Sequence, residues 1–131
     1  MKIDTVLKSK ANAEAQSILQ DVTGVTAVVV ATVDGFDVAS AYLGNVDPSR
    51  IAAMASSISA IGVVVSEEAR LGRYKCLTVT TEEGFALISP VRNGKTELVI
   101  NVIANSNAIL AQVMYRTAEC VKVLEGTTAS A

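Results

Sequence analysis

"IAAMASSISAIGVVVS", residues 51–66, runs for sixteen positions without a charge. A bilayer span, a buried core helix and a helix that awaits a partner all share this composition. A helical span needs about 20 apolar residues, and sixteen helical residues reach only about 24 Å. The run also holds Ser56, Ser57, Ser59 and Gly62 and is closed by Arg50 and Glu67. These features predict no membrane span. Just upstream, "NVDPSR" supplies Asp47 as an N-cap and Pro48 at the first helical position. A helix is therefore expected to about Arg70, with Gly72 as its C-terminal stop.

Plotted at about 100° per residue, Ile51, Met54, Ala55, Ile58, Ile61, Gly62 and Val65 share one broad face, expected to pack on a sheet. The opposite face reads Ala53, Ser56, Ala60, Val63, Val64 and Glu67, where an ordinary surface helix would carry Lys, Glu and Gln. Small residues over several turns predict a second dry side, met by the same helix of a twin molecule across a twofold axis. An antiparallel pair would set Ser57 against Ala60 and Ala53 against Val64 of the twin. It would also bring Arg50 within reach of Glu67 or Glu68, whereas a parallel pair would set Arg50 beside Arg50.

Outward from this helix, the chain reads as one domain over residues 1–131, with a core from about 3 to 125 and a frayed tail at 126–131. Ile3, Leu7, Ala11, Ala15, Ile18 and Val22 recur at helical spacing, with Lys8, Lys10 and Glu14 among them, until Gly24 breaks the pattern. "VTAVVVATV" (25–33) is β-branched and apolar on both faces, as a central strand would be. "DG" (34–35) then signals a hairpin to "FDVASAYL" (36–43). Beyond the middle helix, strands are expected at 73–81, 84–91 and 96–104, joined through "EEG" and "NG". "NSN" (105–107) should cap a last helix with the stripe Ile109, Leu110, Val113, Met114, Thr117, Val121 and Leu124. Arg116, Glu119 and Lys122 should face outward, and Gly126 should end the helix. The reading is α+β: a five-stranded antiparallel sheet between helices, in the order α-β-β-α-β-β-β-α.

Composition narrows the function. Half of the 131 residues are apolar and only 18% are charged, so burial beyond the chain's own core is expected. A net charge of −2 leaves no basic footprint for nucleic acid, and two Phe, three Tyr and no Trp offer few stacking platforms. With no His, the commonest general base and metal ligand are missing. There is no P-loop and no GxGxxG, and the aspartates lack calcium-loop spacing. The carboxylates of "DG" and "EEG" suit hairpin turns. No catalytic residue, cofactor or metal is therefore expected. The N-terminus has no hydrophobic segment of signal-peptide type. Cys76 and Cys120 show no CxxC spacing, which predicts buried, reduced thiols and a cytoplasmic protein.

The "GV…VVVATVDGFDVAS" hairpin, the "DPSRIAAMASSISAIG" helix and the "EGFALISPV…LVINVIANSNAILAQV" ending together resemble the Roadblock family of dynein light chains and bacterial MglB-type regulators. The resemblance runs from about residue 15 to 124, carried by the co-linear set rather than by one motif. It implies a profilin-like or longin-like sandwich that forms homodimers through residues 48–70 and through the following strand, 74–80. The implied interface comprises Arg50, Ala53, Ser56, Ser57, Ala60, Val63, Val64 and Glu67, with Lys75, Leu77 and Val79 from the strand. It further implies a non-catalytic partner of a small Ras-like GTPase, docked on Ala52, Ser59, Ser66, Arg70 and Arg73. Arg50, Arg70, Arg73 and Arg92 are the arginines such a partner could meet. No motor-binding motif is visible, so a dynein role is not implied. The alternatives are a structural adaptor that does not sense nucleotide and, from the helix-wrapped sheet, a small-molecule sensor.

Overall fold

The computed structural model describes residues 3–94 and 96–128. Its elements follow the expected order: α1 (Thr5–Asp21), β1 (Val25–Thr32), β2 (Asp37–Tyr42), α2 (Pro48–Glu68), β3 (Leu77–Thr81), β4 (Gly84–Asn93), β5 (Thr96–Asn105) and α3 (Leu110–Glu125). The strands form one antiparallel sheet in the order β2-β1-β5-β4-β3. Helices α1 and α3 cover one face and α2 alone covers the other. That layering explains why β1 is apolar on both sides. Val28 and Val30 enter the core beneath α1 and α3, while Ala27, Val29 and Ala31 pack under α2 with Ile51 and Ala52.

Several boundaries differ from expectation for local reasons. Asp4 caps α1, accepting from the backbone N–H of Val6 and Leu7 at 2.8 and 3.3 Å, so the helix starts at Thr5 rather than Ile3. Gly24 has φ +88° and lies so close to the Ala108 backbone that a Cβ would collide with it. Strand β3 begins at Leu77, not 73, because Tyr74 turns inward onto Gly62 and Ser59 before the ladder starts.

The "NSN" segment does not cap α3. Asn105 Oδ1 accepts from the Asn107 N–H at 2.9 Å, forming a turn of its own, and Ile109 stands at the N-cap without a side-chain bond. Val113, Thr117, Cys120 and Leu124 are the buried positions of α3, whereas Ile109, Leu110 and Met114 are exposed. Arg116, expected outward, lies in the seam with α1, where it pairs with Glu14 at 3.2 Å and donates to Ser17 at 3.1 Å. The start of the tail is not frayed. Asn93 Nδ2 donates to the carbonyls of Leu124 and Thr127, both at 2.7 Å. Residues 129–131 lie outside the described residues.

Both thiols are free. Cys120 is fully buried, and burial first, then the nearby Glu14 carboxylate, pushes its pKa up to about 12.

Candidate protein-interaction surface

Helix α2 starts as its sequence demands: Asp47 caps it by accepting from the Ser49 N–H at 3.0 Å, with Pro48 in the first turn. Its end is different. The Leu71 N–H bonds the Ser66 carbonyl at 3.0 Å and the Arg70 N–H bonds that of Glu67 at 3.2 Å. This is the Schellman arrangement, with Arg70 rather than Gly72 in the left-handed position at φ 56°. The helix therefore spans 21 residues, roughly 31 Å, long and apolar enough by length and composition to cross a bilayer. Length alone therefore does not exclude a span. Packing speaks against one, because one face of α2 is seated along the sheet of its own domain.

That seated face is the expected one only in part: Ile51, Ala55 and Gly62 are buried and Ile58 packs beside them, while Met54, Ile61 and Val65 are not on it. The buried positions are Ile51, Ala52, Ala55, Ser59, Gly62 and Ser66, a stripe of small residues rotated roughly 70° from the large apolar stripe. Sterics select it. The sheet face beneath already carries Val29, Ile88 and Val99, so only small side chains let the helix settle close. At Gly62 a Cβ would stand 2.8 Å from Leu77 Cδ1 and 3.2 Å from the Tyr74 ring. Larger side chains are consequently turned outward. Met54, Ile61, Val64 and Val65 are 52–60% exposed, a patch that continues through Ala53, Ser57 and Ala60.

The expected interface residues divide accordingly. Ala53, Ser57, Ala60, Val63, Val64, Arg50 and Glu67 are exposed. Ser56 is committed within the chain, donating to the Val33 carbonyl at the β1 exit. Met54, Ile61 and Val65, expected on the sheet for their hydrophobicity, join the outer crest instead because they are too large for the close approach of helix to sheet. In β3 the sheet has a free edge. Val79 is 44% exposed and Leu77 half-buried, while Lys75 precedes the strand instead of lying in it. Exposed Arg73 and Lys75 stand before β3 and exposed Glu82 and Glu83 after it.

Three of the five residues of the expected partner flank are not at the surface. Ala52, Ser59 and Ser66 are 0, 8 and 8% exposed, because they belong to the stripe seated on the sheet. Ser66 Oγ donates to the Gly62 carbonyl at 2.8 Å, and the Ser59 hydroxyl is bonded to that of Tyr74. Arg70 and Arg73 are exposed and line a cavity of about 690 Å³ between α2 and the β4–β5 hairpin. Tyr74 and Arg92 line it too. The Tyr74 hydroxyl is held above its ordinary pKa by burial, opposed by the Ser59 hydrogen bond and the Arg92 charge and reinforced by Glu97. Tyr74 carries no local signal of its inward turn, since its neighbours in sequence are strand-like; the small stripe 52-55-59-62-66 on α2 is the pattern that points to the space it fills. Among the described residues, no three His, Cys, Asp or Glu side chains gather as metal ligands.

Residues 12–104 match the Roadblock/LC7 domain family. A Roadblock/LC7 domain from Streptomyces avermitilis superposes with TM-score 0.78 at 21% identity, over 86% of this chain and 92% of that one. Myxococcus xanthus MglB gives 0.81 at 16% identity, over 95% and 92%. An MglB with tetrameric arrangement gives 0.79 at 11% identity, over 94% and 90%. At such identities the likeness establishes the fold, which is the sandwich expected from sequence. No curated protein sequence matches the chain.

Proposed function

The chain belongs to the Roadblock/LC7 domain family, and we propose that it is a cytoplasmic, homodimeric, non-catalytic regulator or scaffold that binds a small Ras-like GTPase and modulates its GTP hydrolysis. The observation that carries this reading is the outer crest of α2, with four large apolar side chains more than half exposed on a helix already seated on its own sheet. A second copy is the occupant that fits it best, because the charges beside it are self-complementary when the copies run antiparallel. Arg50, near the start of α2, then faces Glu67 or Glu68 near the end of the other copy's helix. An antiparallel junction of β3 with β3 likewise sets Arg73 and Lys75 of one copy beside Glu82 and Glu83 of the other. Parallel pairing would oppose like charges at every one of these points.

The GTPase rests on the resemblance to bacterial MglB-type regulators and on the MglB folds that superpose on this one. The dimer would present two α2 helices as a platform, and any effect on hydrolysis would come from reshaping the bound GTPase. Capture of a purified small Ras-like GTPase, loaded with GDP or with a GTP analogue, tests the proposal. Preferential capture of one nucleotide state supports it; equal capture or none refutes it, equal capture favouring the adaptor reading.

A further inference from the structure

An open sheet has two edges, and the twin proposed above covers only β3; β2 is the other. The ladder between β2 and β1 shows which backbone groups are spare. Leu43 donates to the Thr26 carbonyl at 2.9 Å, and the pairing continues through Ala41 with Val28 and Ala39 with Val30. Antiparallel alternation then turns the N–H and C=O of Ser40 and Tyr42 away from β1, to the side where no further strand lies. The bulge of this ladder falls beyond Val30, so the edge is regular from Ala39 to Leu43. Sheet edges are commonly protected by lysine, other charges or proline. From Val38 to Val46 the chain has none of these, and Tyr42 and Leu43 are exposed.

What lies above this edge narrows its occupant. Helix α1 covers β2 and β1, whereas α3 covers β4 and β5. Glu14 and Ser17 mark the flank of α1 that faces α3, by their bonds to Arg116. At about 100° per residue the opposite flank, over the β2 edge, carries Lys8, Asn12 and Leu19. Lys8 and Asn12 are exposed, and Leu19 is half-buried against the core. Among the described residues, ion pairs are made by Arg50 and Arg116 and not by Lys8. A short turn joins α1 to β1, so α1 runs in the direction of β2, with Lys8 toward Asp37 and Leu19 toward Tyr42. A second copy joined β2 to β2 would bring two α1 helices to about 10 Å, packing distance, on these polar flanks. A strand with no helix over it avoids that contact.

We propose that the β2 edge binds an extended segment of a partner protein as a sixth strand, held by the spare backbone groups of Ser40 and Tyr42. On the α1 side that segment places an acidic side chain toward Lys8 and an apolar one toward Leu19. The site uses neither the α2 crest nor β3, so it goes beyond the twin and the GTPase and stands or fails apart from them.

The test is an NMR titration of the full chain with the blocked peptides Ac-ETVTVT-NH2 and Ac-TVTVTE-NH2, one for each strand direction. Each is also made with Gln for Glu, and with alternate backbone amides N-methylated in either of the two registers. The expected result is shift changes at residues 38–43 and at Lys8, Asn12 and Leu19. One Glu peptide should bind about threefold tighter than its Gln version, and N-methylation should abolish its binding in one register only. Ser40→Pro removes an N–H that faces solvent, where an edge strand tolerates proline, and should abolish binding with the sheet intact by circular dichroism. Lys8→Gln should remove the preference for Glu, and Val64→Glu, on the crest, should keep it. Binding of neither peptide, shifts at β3 instead of β2, indifference to N-methylation in both registers, or β2 shifts that grow with protein concentration alone would each overturn the proposal.

Discussion

Arg70 occupies a backbone conformation that a side chain with a Cβ adopts at a cost of about 1–2 kcal/mol, and it does so where helices most often place glycine. Arg70→Gly is expected to raise the urea midpoint, by about 1 kcal/mol of stability, with no change in the slope of the transition. A lower midpoint would mean that the arginine side chain contributes more to the fold than its backbone strain costs. Cys120 makes a prediction with a sign. Its thiol keeps its proton in the folded chain up to about pH 12, whereas in the unfolded chain it loses it near the ordinary thiol value of 9.0. Between those values the unfolded state binds fewer protons, so stability falls as pH rises through this window and is fully present below it. Denaturation of the native chain and of Cys120→Ala at pH 8 and pH 10.5 should show a smaller loss for the variant. In the folded protein, half-buried Cys76 should react with a thiol reagent well before Cys120.

At the scale of elements, α2 shows what sequence can and cannot disclose. Its start was legible because Asp47 and Pro48 act locally, and β1 was legible because "VTAVVVAT" has no polar face to expose. The orientation of α2 was legible only in part: Ile51, Ala55 and Gly62 pack where their spacing puts them, but hydrophobicity alone favoured Ile61 and Val65 for the sheet, whereas the decision fell to size at Ala52, Ala55, Ser59 and Gly62. The depth available above a sheet is a property of the packed pair, and no local pattern records it. Similar reasoning covers Tyr74: its inward turn depends on the space that Gly62 leaves sixty-odd degrees around the helix from the crest flank, a tertiary fact. The prediction at this scale contrasts two neighbours. Ala55→Leu should cost about 1–3 kcal/mol by wedging helix from sheet, while Ala53→Leu should change stability by less than about 0.5 kcal/mol, as thermal melts would read. Equal costs would place the helix on its other face.

For the whole molecule, one chain leaves apolar surface that its own fold cannot cover, on a helix as long as a bilayer is thick. The self-complementary charges at the ends of α2 and on either side of β3 favour a twin over lipid as the cover. The seam formed by Arg116, Glu14 and Ser17 lies on the opposite face of the sheet and should be indifferent to assembly. Sedimentation velocity on the native chain and on Val64→Glu tests the central proposition most directly. Val64 is 57% exposed, so the substitution should leave the fold intact by circular dichroism. The account predicts a native dimer at micromolar concentration and a Val64→Glu monomer. A native chain that sediments as a monomer, or a variant that still sediments as a dimer, would contradict it.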